Sequence, residues 1–192
     1  MTPSAPLDQV EAALCEHFGG TPLRASVSFV GVDPIEVLRF EPIPDERAYV
    51  SLGMSRHPMT PPTAAIQSTD GPRAELMVQL RDPVDGRADV WRQLAVLAAA
   101  PAVEGVVYTP GMTVDLGHPL SATTLCTGAI VGESPLPPID TPPGPVDVLQ
   151  LLPATANELA WCRVHGTDAL RRRWSDQKVD LLDLGRATAR LD

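Results

Sequence analysis

Residues 93–162 contain no lysine and no arginine, while six acids fall in the same stretch: Glu104, Asp115, Glu133, Asp140, Asp147 and Glu158. A nucleic-acid backbone is gripped by Lys and Arg, so the middle of this chain is unsuited to holding one. Aromatic residues are also scarce, with three Trp, two Tyr and three Phe. That is too few for a base-stacking platform, and no nucleic-acid partner is expected. Only three cysteines occur, Cys15, Cys126 and Cys162, far apart and odd in number. They fit reduced, buried thiols rather than a disulfide framework. No apolar run approaches the ~20 residues of a membrane span. The N-terminal segment lacks a basic start followed by an apolar run of about 7–15 residues, so no secretory signal is visible. A cytoplasmic protein without a membrane partner is expected.

What is present is acidic. The 192 residues carry 24 Asp and Glu against 15 Lys and Arg, a formal net charge of -9. A chain of this length buries roughly 70% of its unfolded surface and needs no metal or disulfide to hold a core. Its charge is uneven: residues 1–92 hold 8 basic and 13 acidic residues, and residues 163–192 hold 7 basic and 5 acidic. Spread evenly, such acidity keeps a protein soluble. Gathered on one face, it steers a basic protein partner.

The hydrophobic pattern supplies the elements. Leu7, Val10, Leu14 and Phe18 recur at helical spacing before Gly19-Gly20, which predicts a helix over 6–18. Ala25, Val27 and Phe29, then Ile35, Val37, Leu38 and Phe40, read as extended, as does 47–54. Residues 55–72 are a Pro- and Gly-rich loop. In 73–81, Ala74, Leu76, Val78 and Leu80 alternate with Glu75, Gln79 and Arg81, predicting a strand with one solvated face. A helix is predicted over 88–100, capped by Asp89 and ended by Pro101. Short strands follow around Val106, Tyr108, Met112, Val114 and Leu116, then strands over 121–131 and 146–152. The six prolines of 133–145 mark a connecting loop, in preference to a PxxP ligand. Thr155 and Glu158 have the offset of a capping box, opening a helix that runs to His165 and stops at Gly166. A short helix over 168–175 and a last strand within 178–190 complete the chain. This order favours an α+β domain with a mixed or mainly antiparallel sheet flanked by helices.

Motifs for chemistry are thin. Gly53-Met-Ser-Arg-His57 lacks the second glycine of a nucleophile elbow. Cys162/His165 and Cys15/His17 have ligand-like spacing, but each sits at a helix end and structural zinc needs four ligands. No glycine-rich phosphate loop occurs. Arg171-Arg172-Arg173 fan about 200° around a helix, a solvated face with Asp168 or Asp176 as carboxylate partners rather than one patch. No metal or cofactor is expected.

Several segments in order resemble the Suppressor of fused domain family. They are 48–54 (AYVSLGM), 69–80 (TDGPRAELMVQL), Trp91 with Leu94-Ala95, and Gly111-Met112-Thr113-Val114. The series continues with 141–159 (TPPGPVDVLQLLPATANEL), Gly166, Ala169-Leu170, and Asp183 with Arg186. Met112 departs from the pattern, standing where many members carry His or Asp. The resemblance spans about 6–190 and implies binding rather than catalysis. Animal members sequester transcription factors, and stand-alone bacterial members look like immunity proteins of polymorphic toxin systems.

The sequence therefore points to one domain over 1–192, with the Pro-rich loop 133–145 internal to it. Its expected function is that of a non-catalytic intracellular protein-binding module, an immunity protein neutralising a toxin, with partner contacts at Glu104, Tyr108, Met112, Asp115 and Glu133. One alternative is a regulatory adaptor binding an extended peptide along a sheet edge. The other is a hydrolase, which requires His57 or His118 in a pocket beside a nucleophile and a carboxylate. Oligomeric state has no signature here.

Overall fold

The computed structural model describes residues 5–64, 69–81, 90–121 and 124–192. The first helix, α1 (Pro6–Phe18), forms where the spacing predicts it. Pro6 sits in the first turn, where no backbone donor is needed, and the Asp8 carboxylate accepts the Ala5 amide at 3.1 Å. Gly19 closes the helix at φ 75°, its amide donating to the Cys15 carbonyl.

Four strands follow: β1 (Leu23–Phe29), β2 (Val32–Phe40), β3 (Glu46–Leu52) and β4 (Arg73–Arg81). A single 3₁₀ turn, Met54–Arg56, follows β3. Then come α2 (Val90–Glu104), β5 (Thr113–Asp115), β6 (Cys126–Glu133), β7 (Val146–Thr155), α3 (Ala156–His165) and α4 (Thr167–Asp176). All the strands join one seven-stranded sheet in the order β1-β2-β3-β4-β7-β6-β5. Every pairing is antiparallel except β4 with β7. This is the α+β architecture expected from the sequence.

Side chains alternate across each strand, so the sheet presents two apolar faces. Leu76 and Val78 of β4 pack with Leu94 and Ala98 of α2, and Met77 packs with Val10 and Leu14 of α1. A third cluster seats α3 and α4 on the end of β6 and β7 through Ile130, Ala154, Leu159, Leu170 and Trp174.

Four expectations are corrected. β4 is the middle strand of the sheet and has no solvated face along most of its length: Glu75 and Met77 are both 0% exposed. α2 does not end at Pro101 but runs on to Glu104. Proline supplies no amide to the Leu97 carbonyl, and the Tyr108 hydroxyl donates to that carbonyl instead at 2.8 Å. Of the extended segments around 106–116, only Thr113–Asp115 is a strand. Residues 177–192 form turns and no strand, because their backbone and side chains bond to the body of the protein. The proposed Asp89 cap lies outside the described residues, as do positions 122 and 123 of the 121–131 segment.

Candidate functional site

The last turn of α2 closes at Gly105, with φ 69°, and the chain returns alongside the helix. Gly111, at φ 88°, turns it onto the sheet, where its amide donates to the Val131 carbonyl at 2.8 Å. β5 then pairs with β6 and, among the described residues, carries no strand on its other side. This pairing depends on Gly128: a Cβ there would fall 2.1 Å from the Val114 carbonyl oxygen and 2.7 Å from Leu159. α2 and the 106–121 segment leave between them an open groove of roughly 800 Å³.

Four of the five sequence-predicted contact residues line this groove: Glu104, Tyr108, Met112 and Asp115. Val96, Leu97, Val106, Val114 and Leu116 supply its apolar lining, and Arg92, Gln93 and His118 its polar end. Asp115 is exposed and lies 3.4 Å from Arg163 of α3. Tyr108 is 4% exposed, so it is a strut holding α2 to the returning chain. Burial, reinforced by the charge on Glu104, pushes its phenol far above the ordinary range. Glu133 is not brought to the groove: it is exposed at the end of β6, opposite Leu149 of β7.

The residues considered for catalysis are kept apart. Ser55 is buried, and its hydroxyl donates to Glu75 at 2.7 Å. His57 points to solvent with its ring nitrogen 3.4 Å from Asp33, while His118 meets Gln93 in the α2/β5 groove. Cys126 and Cys162 are buried, and burial raises both thiols, which favours the inert protonated form. His165 stacks on Trp161 at 4.1 Å. Among the described residues no group of three or more His, Cys, Asp and Glu is placed to hold a metal. Arg173 rests over Trp161 and donates to the Arg190 carbonyl at 3.3 Å, in place of the expected pairing with Asp168 or Asp176.

Two buried carboxylates were not legible as centres of interaction. Glu75 accepts from Ser51 Oγ, from Ser55 Oγ and from the Gly53 and Ser55 amides, so it caps the 3₁₀ turn from the neighbouring strand. Glu158 completes the predicted capping box with Thr155 and also receives Arg186 in a bidentate pair, 2.8 Å on each side. Trp174 Nε1 and the Ala189 amide donate to the same carboxylate. The Asp183 and Arg186 pattern in the sequence was the available signal for this pin.

No helix among the described residues is long and apolar enough to cross a membrane. A mixed seven-stranded sheet with helices on both faces, an edge-strand groove and a tail pinned by a buried ion pair define an α+β fold. Within that fold class the chain belongs to the Suppressor of fused protein family, whose sequence model matches residues 31–187. Among solved structures, a Suppressor of fused homologue from Neisseria gonorrhoeae FA 1090 is similar at 18% identity and TM-score 0.72, covering 95% of this chain and 96% of that one. A chain of the Sufu-Fu complex is similar at 17% identity and TM-score 0.72, covering 98% and 93%. Drosophila Suppressor of Fused matches at 18% identity and TM-score 0.66, covering 95% of this chain and 50% of that one. No curated protein matches the sequence. At these identities the structural likeness carries the fold, and function has to be argued from the site.

Proposed function

We propose that this chain is a non-catalytic protein-binding module that docks its partner in the groove between α2 and β5. The observation that carries this reading is the groove itself: open, lined by apolar side chains between acidic residues, and bounded by a strand with a free edge. A structure of similar fold is that of the Sufu-Fu complex, and use of one protein surface against another is the mode extended to this chain. The module acts as one domain over 1–192, with the loop 133–145 internal to it, in the cytoplasm.

Its more specific role is that of an immunity protein that neutralises a toxin domain, supported by the resemblance to stand-alone bacterial members and by the cation-free middle of the chain. A basic toxin would be drawn to that surface. The test is co-expression with the products of neighbouring genes. Rescue of growth from a toxic neighbour, with a stable complex recovered, is the expected result. A toxic neighbour that kills equally with and without this chain contradicts the immunity role.

The free edge of β5 supports a second reading, a regulatory adaptor that adds an extended peptide to the sheet. The two separate on one result: an adaptor forms its complex with a partner that has no toxicity of its own.

A further inference from the structure

A second groove, of roughly 940 Å³, opens on the other flank of the α2 C-terminus. Its walls are the β1–β2 turn at Gly31 with the start of β2 at Asp33, the last turn of α2, and the loop carrying Pro58, Pro61 and Pro62. The proline loop is tied to its surroundings. Arg73, 7% exposed, donates to the carbonyls of Ser55 at 2.9 Å, Arg56 at 2.7 Å and Thr69 at 3.3 Å. The Met59 amide donates to the Pro72 carbonyl at 2.8 Å, and Gly105 approaches Pro62 so closely that a Cβ would lie 2.8 Å from its ring. A groove held this way costs a ligand little ordering entropy.

The chemistry of the surface selects the occupant. Asp33, whose carboxylate lies 3.4 Å from the exposed His57 ring, and Glu104 are exposed acids in separate walls of the groove. Arg73, the one arginine lining it among the described residues, is buried and directed at backbone carbonyls. Between the acids the lining mixes apolar side chains, Val103 at 61% exposed among them, with Thr60 and Thr69.

We propose that this second groove docks a short partner segment carrying apolar side chains beside arginine or lysine, an inference that rests on the protein-binding reading above. Glu104 lines both grooves, so one partner reaches both across the last turn of α2. The apolar side chains enter between Val103 and the proline loop, and the flanking cations meet Asp33 and Glu104.

The probe is an acetylated, amidated hexapeptide with two leucines between two arginines, titrated into the isotope-labelled full chain and followed by amide NMR shifts. The expected result is saturable shifts confined to the 31–33, 57–60 and 102–105 segments. Asp33→Asn weakens binding about fivefold, the effect of losing an exposed charge contact. The counterpart with glutamates in place of arginines does not bind, and Val164→Arg, at an exposed position of α3, leaves the titration unchanged. The inference is overturned by any of four results: no saturable shifts, shifts spread over the acidic surface, equal binding of the glutamate peptide, or no effect of Asp33→Asn. Shifts confined to Thr113–Leu116 that vanish in Met112→Arg also overturn it, while leaving the first groove as the docking site.

Discussion

Burial acts against the charge on Glu158, whose side chain is 0% exposed. That burial pushes its carboxyl up, but the Arg186 guanidinium and the Ala189 and Thr155 amides together outweigh it and hold the group below its ordinary 4.5. A carboxyl lowered by folding stabilises the folded state fully above its unfolded value, and the contribution is lost as pH falls through the folded value. Stability to urea is therefore expected to decline below about pH 4.5. Glu158→Gln flattens this dependence and, because it leaves Arg186 buried without its charge partner, costs about 3–5 kcal/mol at neutral pH. Replacing both members, Glu158→Leu with Arg186→Met, restores part of that loss. Strictly additive costs in the double variant contradict the pin. The capping role of Glu158 was legible from its offset to Thr155. Its partnership with Arg186 was not, since local spacing carries no information about a contact across 28 positions.

At the scale of elements, the same limit explains the extent of α2. Proline inside a helical pattern is a stop signal because it removes an amide and leaves a carbonyl without a donor. Here the donor comes from Tyr108, on a segment that returns beside the helix. Tyr108→Phe leaves the buried Leu97 carbonyl unsatisfied and is expected to cost about 1–3 kcal/mol. In a Pro101→Ala background the restored amide serves that carbonyl, and the same substitution becomes nearly neutral. Thermal or chemical denaturation of the four variants in a double-mutant cycle reads this directly. Equal costs in both backgrounds would show that the hydroxyl does not stand in for the missing amide. The helices α1 and α3 were legible because their caps and apolar stripes are local. β4 was misread on one face because burial by α1 and the 3₁₀ turn comes from elsewhere in the chain.

At the scale of the molecule, the uneven charge in the sequence has acquired a place. Four of the five residues singled out from the cation-free middle meet in one groove, although they are separated in sequence by a helix end, a turn and a strand. Glu133 does not join them, because β6 carries it two residues past Val131, which bonds Met112, to a position opposite Leu149 of β7. The second groove and its Asp33 wall were not legible, since they depend on the β1–β2 turn meeting α2. If the acidic surface steers a basic partner, neutralising Glu104, Asp115 and Glu133 together lowers the association rate and flattens its salt dependence, with little change in dissociation. Stopped-flow association at two ionic strengths checks this, and an unchanged rate removes steering from the account.

The central claim is that a partner docks in the groove between α2 and β5. Its most direct measurement is complex formation between the protein and the partner recovered in the co-expression test, with Met112→Arg in the groove and Val164→Arg at an exposed position of α3 as a control. Val164→Arg is expected to bind like the unmodified chain, and Met112→Arg, folded and equally stable, to lose the complex. Retention of the complex by Met112→Arg, or its loss in Val164→Arg alone, would show that the partner docks elsewhere.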